Sequence, residues 1–413
     1  MTTPQVALIG TLDTKGAEIS FVAARLAAAG ARPLVVDSGV FAPAGFDREV
    51  AVDNASVAAA AGVDLEELRG AGDRGRAVAA MGEGTARVVA ERAALGELDG
   101  VLALGGSGGS SIAARAFSDL PLGMPKLLVS TMASGDVAPY VGASDVTLMY
   151  SVVDIAGINQ VSGAVLENAA EAVAAMARAY AARRAAPPIG GRPLIGASMF
   201  GVTTPAVTAA RRRLEELGYE VLTFHATGAG GRALENLARS GFLAGVLDLT
   251  TTELADELVG GVLSAGPERV TAAGAAGVPQ LVSIGALDMV NFGSRETVPE
   301  RFATRTLHVH NPTVTLMRTT PEECAQLGRV LGEKLVAAKG PTVLLVPRGG
   351  VSAIDCPGEA FFDPEADRLL IDALLAAVAG SPVTVIEHPG NINDEEVAVL
   401  AADALHAMVR KEA

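Results

Sequence analysis

The sequence predicts an α/β protein built of two Rossmann-like parallel-sheet subdomains with a cleft between them. Three observations predict it. Short runs rich in Val, Leu and Ile alternate with alanine-rich helical stretches, as in a parallel sheet covered by helices on both faces. The same order of motifs occurs twice. The chain has 413 residues, 50% hydrophobic and 19% charged, too many for a single core.

In chain order, the first strand is VALIGT, which runs into Leu12-Asp13-Thr14-Lys15-Gly16 and then a helix. Gly30 ends that helix and PLVVDSG forms the next strand. Gly100 to Leu104 is an apolar run bounded like a buried strand, and Ser110 to Phe117 begins with a hydroxyl cap and continues in helix formers. Pro125 to Ser130 is a further strand, and a long helix spans Glu167 to Arg184. Prolines and glycines from Pro187 to Pro193 then break the chain, which places the subdomains at 1–187 and 188–413.

The second half repeats the plan. Leu194-Ile195-Gly196 answers Leu8-Ile9-Gly10, and Gly218 answers Gly30. Gly245-Val246-Leu247 answers Gly100-Val101-Leu102, and the strand after Pro279 answers the strand after Pro125. Order is kept while spacer lengths drift, as in two related α/β units.

Composition excludes several classes. A net charge of −15 opposes broad binding to nucleic acid, and without tryptophan there is little material for base-stacking platforms. Two cysteines, Cys324 and Cys356, make no disulfide framework. No apolar run reaches the ~20 residues of a membrane span. The start MTTPQVALIG lacks the features of a signal peptide, so a cytoplasmic protein is expected.

The most specialised stretch is ALGGSGGSS, Ala103 to Ser111. A glycine-rich turn between strand and helix presents bare N–H groups at a positive helix end, which suits a phosphate. It lacks the Gly-Lys-Ser/Thr ending of a Walker A loop. It does match G-x-S-x-G, which leaves Ser107 as a hydrolase nucleophile in a competing reading. The expected anion-binding groups are Gly105, Gly106, Ser107, Gly108, Gly109, Ser110 and Ser111. Asp13, Thr14 and Lys15 follow the first strand, where Lys15 can pair a phosphate and Asp13 can hold a metal. Ser130, Ser134 and Gly135 follow another strand, with Asp136 as a second candidate metal ligand.

In the second half, His225, Glu253 and Asp288 end three strands and are the candidates for acid–base work. Each has a plainer reading as a cap or surface charge. His308 and His310 lie two apart, on one side of a strand if they form one, and a metal pair is the less ordinary reading of them. Cys324 falls on the helical stretch TPEECAQLGRVLGEKL as a packing residue.

The stretches GTLDTKGAE, ALGGSGGSS, VSTMASGDVAPYVGASDV, YSVVDIAGIN, MFGVTTP, FHATGAGGRALE, VLDLTTTELAD, GALDMVNFG and HNPTVTLMRT carry a resemblance over nearly the whole chain. The chain resembles the family related to the N-terminal ATP-binding domain of the tomato mosaic virus resistance protein. The resemblance implies two α/β subdomains, ATP binding with Mg²⁺, and a homodimer. It places the nucleotide at Asp13 to Lys15, Gly105 to Ser111 and Ser130 to Asp136. The C-terminal end departs from the family pattern: Gly390-Asn391-Ile392-Asn393-Asp394-Glu395 stands where a His-Ile-Asn-Asp-Pro run is usual. The expected function is an ATP-dependent enzyme acting on a small molecule. A nucleotide-sensing module that does not consume ATP, and a serine- or metal-dependent hydrolase, are the alternatives.

Overall fold

The computed structural model describes residues 3–185 and 191–412. The chain divides into two compact units, Met1–Ile189 and Gly190–Ala413. The expected junction at Pro187 to Pro193 lies mostly outside the described residues. Each hydrophobic core cluster draws its residues from one unit alone.

The first unit runs β1 (Gln5–Gly10), α1 (Leu12–Ala28), β2 (Arg32–Asp37), α2 (Asn54–Ala60), α3 (Leu65–Ala71), α4 (Arg74–Ala94) and β3 (Gly100–Gly105). It continues through α5 (Ser107–Ser118), β4 (Lys126–Ser130), α6 (Ala138–Val141), β5 (Val146–Tyr150) and α7 (Gln160–Ala185). Its five strands are all parallel, in the order β2-β1-β3-β4-β5. β3 and β4 are buried at every residue, because helices cover both faces of the sheet. One face packs Ala7, Ile9 and Ala103 on Met81, Ile112 and Phe117. The other packs Leu8, Leu102 and Leu127 on Ile19, Val22 and Val173.

The second unit runs β6 (Leu194–Met199), α8 (Thr204–Glu216), β7 (Glu220–His225), α9 (Ala229–Arg239), β8 (Leu243–Thr250), α10 (Glu253–Val259), α11 (Ala272–Ala275) and β9 (Gln280–Gly285). Then come β10 (Met289–Phe292), β11 (Leu307–Asn311), β12 (Val314–Arg318), α12 (Pro321–Val336), β13 (Thr342–Pro347), α13 (Pro364–Val378), β14 (Thr384–His388) and α14 (Glu395–Glu412). Six parallel strands take the order β14-β13-β9-β8-β6-β7. Counted from the first strand of each unit, the two sheets share the order 2-1-3-4-5, and the second adds one strand. The paired motifs fall on equivalent strands: β1 with β6, β2 with β7, β3 with β8 and β4 with β9. Gly30 and Gly218, before β2 and β7, both have positive φ, +79° and +96°, where a side chain is disfavoured.

The α/β reading therefore holds, with three local differences. The helix after the glycine run starts at Ser107, three residues before the expected cap, so Gly108 and Gly109 lie in its first turn. The long helix begins at Gln160, where Asn159 accepts hydrogen bonds from the N–H groups of Val161 and Ser162. A three-stranded antiparallel sheet, β10-β12-β11, stands between β9 and α12 and breaks the βα alternation. Among the described residues, no helix is long and apolar enough to cross a membrane.

Candidate functional site

In the first sheet the winding reverses between β1 and β3, and the connections leaving them open a crevice at the carboxyl edge. A cavity of about 570 Å³ occupies that place, within the ~300–1,000 Å³ range of small-molecule sites.

The turn after β1 supplies Thr11, Asp13, Thr14 and Lys15 to the cavity. The Lys15 N–H donates to the Thr11 carbonyl at 2.7 Å, and non-helical angles at Lys15 separate this turn from the rest of α1. Two carboxylates hold the turn against the segment after β2. Asp37 Oδ1 accepts from the N–H groups of Leu12 (3.1 Å) and Gly39 (2.8 Å). Asp13 Oδ2 accepts from Val40 and Phe41, each at 3.0 Å. Burial pushes the Asp37 carboxyl up to about 6, against these hydrogen bonds, which lower it. The Lys15 ammonium donates to the Ile155 carbonyl and still lines the cavity. An ammonium has two further protons to give a ligand.

The turn after β3 supplies Gly105 to Gly109. A methyl group on Gly105 would lie 2.6 Å from Gly109 Cα, so this first glycine is required by the chain's own close approach. Gly108 is different: a methyl group there would meet only Val78 and the Arg74 guanidinium, at 3.6 and 3.7 Å. A methyl group there would sit in ordinary contact with an apolar side chain and a cation. The cap residue Gly106 brings no side chain to the first N–H groups of α5, which have no intrahelical partner. Those groups and the helix dipole make the glycine end attractive to an anion. Leu68, Val78, Met81 and Ile112 add apolar surface to the lining, with Arg69 and Arg74 beside them.

The expected residues separate cleanly. Asp13, Thr14, Lys15 and Gly105 to Gly109 share the cavity; Ser110, Ser111, Ser130, Ser134, Gly135 and Asp136 do not line it. Ser110 and Ser130 bond each other, Oγ to Oγ at 2.6 Å, and both are buried, so they tie α5 to the end of β4. Ser111 bonds back to the Ser107 carbonyl. Asp136 accepts from the Ala138 N–H as a local cap. Among the described residues, no group of three or more His, Cys, Asp or Glu is placed to hold a metal ion. Ser107 lines the cavity, and no histidine is among its lining residues. Arg69 and Arg74 went unnoticed in the sequence, because nothing local marks an arginine in the last turn of one helix, or at the start of the next, as facing the turn after β3.

The three acid–base candidates meet different surroundings. His225 ends β7 and is exposed. Glu253, expected as an acid–base group, is instead a fully buried counter-ion. Its Oε1 accepts from the N–H groups of Gly228 (2.6 Å) and Gly231 (3.1 Å), and its Oε2 from Arg269 Nε (2.6 Å). Arg269 is itself fully buried among Glu253, Asp248 and Glu235. Asp288 is buried beside Asp355, Asp367 and Arg318. Burial first, and Asp355 second, push its carboxyl up to about 7. His308 and His310 lie on β11 with ring centres 6.5 Å apart. Cys324 is buried in α12 against Arg318 and Thr319, the packing place expected for it.

The N-terminal domain of the uncharacterised protein family UPF0261 matches residues 4–182, and its C-terminal domain matches residues 192–409. A UPF0261 protein of Clostridium tetani is 50% identical over 98% of this chain and 99% of its own length. UPF0261 protein RA0729 of Rhizobium meliloti is 49% identical over 97% and 98%. The ToMV resistance protein Tm-1(GCR237) of Solanum lycopersicum is 47% identical over 74% of this chain and 41% of its own length. A Streptomyces glycosyltransferase solved with thymidine diphosphate aligns over 99% of this chain and 100% of its own, at 14% identity and a TM-score of 0.19, too weak a likeness to carry any argument. Matched along both units, the chain belongs to the UPF0261 family and is a homologue of the tomato Tm-1 proteins.

Proposed function

We propose that the N-terminal unit binds ATP in the cavity between β1 and β3, and that the chain is an ATP-dependent enzyme acting on a small molecule. The observation that carries this reading is the cavity at the winding reversal, whose lining combines a bare helix N-terminus, Lys15 and Arg74 with the apolar side chains of Leu68, Val78, Met81 and Ile112. The first set suits phosphates and the second a base or another flat apolar group. The family resemblance of the same stretches points the same way.

The residues fit the nucleotide better than they fit a metal. Lys15, Arg74 and the N–H groups of Gly106 to Gly108 would hold the phosphates. Of the two proposed metal ligands, only Asp13 lines the cavity, and its Oδ2 already accepts two N–H groups. Mg²⁺ would therefore rest mainly on phosphate oxygens and water, as this ion commonly does. When bound, it supplies charge neutralisation of the phosphates. For acid–base work on a second substrate, His225 is the candidate left in reach, exposed at the end of β7, because Glu253 and Asp288 are fully buried.

The test is calorimetric titration with ATP, with and without Mg²⁺, on the wild type and on Gly108→Val. The reading expects micromolar binding strengthened by Mg²⁺ and lost in the variant, which should stay folded because the position lines the cavity and its nearest neighbours leave ordinary contact distances. Equal heats from both proteins would defeat it. ATP turnover in the presence of candidate small acids then separates an enzyme from a sensing module.

A further inference from the structure

The C-terminal unit has a cavity of its own. About 340 Å³ lies at the carboxyl end of β13, lined by Arg348, Gly349, Phe362, Asp367, Arg368 and Ile371 among others. The segment after β13 folds back sharply to make it. Gly350 has φ +123°, and a methyl group there would stand 1.9 Å from the Asp355 carbonyl oxygen.

Behind the cavity is an unusual charge arrangement. Arg318 is buried among three carboxyl groups: Asp367 Oδ1 at 2.6 Å, Asp355 Oδ1 at 3.6 Å, and Asp288. Ser352 Oγ donates to Asp288 Oδ2 at 2.8 Å. The other oxygens, Asp288 Oδ1 and Asp355 Oδ1, are buried without a hydrogen-bond partner. One cation cannot hold three ionised carboxyls in a site of low polarity, and orphaned acceptors of this kind call for a proton. Asp367 alone of the three reaches the cavity. Burial first, and Asp355 second, raise its carboxyl to about 7. Arg318 from β12 works against that rise. Cys324 from α12 lies on the far side of Arg318, and Arg368 stands on the same helix as Asp367.

The mouth is different in character. Arg348 pairs with Glu387, and Arg368 pairs with Asp372 at 2.8 Å, all four side chains well exposed. Exposed pairs of this kind contribute little to stability and redirect easily. Each guanidinium has five N–H donors and keeps some for a ligand. Phe362 is half exposed at the rim and Ile371 is buried beneath.

We propose that this cavity is a second ligand site, for a small carboxylate with an apolar body: Arg348 and Arg368 take the anionic head, Phe362 and Ile371 take the body, and Asp367 bounds the head from the cavity lining. A singly charged head fits better than phosphate, because both arginines are already half neutralised and a second charge would face Asp367. The proposal stands apart from the nucleotide reading, since the two cavities share no residue.

The experiment is fluorine NMR line broadening on the intact chain. The probes are 4-fluorobenzoate, 4-fluorobenzyl alcohol as the uncharged match, and monofluorophosphate as the dianion. 4-Fluorobenzoate alone should broaden strongly near pH 6. The effect should weaken by about tenfold in Arg348→Gln or Arg368→Gln, the loss of one charge-assisted contact. It should also fade above pH 8, where Asp367 loses its proton and repels the carboxylate. Asp367→Asn should remove that pH dependence. Lys15→Ala should leave the broadening of 4-fluorobenzoate as it is, whatever it does to nucleotide binding, so failure of the nucleotide reading would not alter this result. No broadening at millimolar probe with folded protein, equal broadening in the arginine variants, or preference for monofluorophosphate would overturn the proposal.

Discussion

At the scale of single residues, glycines and buried carboxyls decide most of what the site can do. Gly105 and Gly108 are three apart in one run and face opposite demands. Gly105→Ala forces a methyl group onto Gly109 and should destabilise the chain by about 1–3 kcal/mol, read by urea unfolding. Gly108→Val should cost little stability and remove ligand binding, because its side chain would enter the cavity. Asp37 offers a pH test. Its folded carboxyl titrates near 6, above the ordinary 3.8, so the folded state holds its proton more tightly than the unfolded chain. The stability this confers is present below about pH 4 and is lost as pH rises toward 6. Both hydrogen bonds to Asp37 fall on Oδ1, which an asparagine can reproduce. Asp37→Asn should therefore gain stability relative to wild type as pH rises from about 4 to 7. A constant difference across that range would show that the carboxyl is not titrating there.

At the scale of elements, the sequence tells most where the signal is local. Strands buried on both faces are continuous apolar runs, so β1, β3 and β4 were legible, as was α12 with its Thr320 and Glu323 capping box. Three things were not. The start of α5 was misplaced because glycine and serine look like a loop, yet Gly106 needs no side chain to begin a helix. Ser110 and Ser130 look like phosphate ligands, yet their hydroxyls meet each other, a pairing across 20 residues that spacing does not reveal. Glu253 reads as an exposed helix-start carboxylate, and only the fold brings Arg269 onto it. That arginine joins β8, α9 and α10 through Asp248, Glu235 and Glu253. Its removal leaves three buried carboxylates without their counter-charge. Arg269→Met should cost at least about 3–5 kcal/mol, and possible failure to fold is read by the absence of a cooperative transition. A loss under 1 kcal/mol would contradict this account of the network.

At the scale of the whole molecule, one winding order serves twice. The paired sequence motifs landed on equivalent strands because glycine turns and strand openings repeat wherever the same βα path is taken. What the sequence left unseen is the antiparallel β10-β12-β11 sheet, whose short strands lack the helix-separated spacing that announces a parallel fold. The cores of the two units draw on separate residues. A fragment ending at residue 185 should therefore fold cooperatively and bind ATP within about threefold of the intact chain, a difference below 1 kcal/mol. A fragment that stays unfolded would show that the first core needs the second unit.

The most direct measurement is a crystal structure of the intact chain grown with Mg²⁺ and a non-hydrolysable ATP analogue. The account predicts phosphate density against the N–H groups of Gly106 to Gly108, within reach of Lys15 and Arg74, and the base against Val78 and Met81. An empty cavity between β1 and β3 in a crystal that holds the analogue elsewhere, or none at saturating concentration, would contradict it.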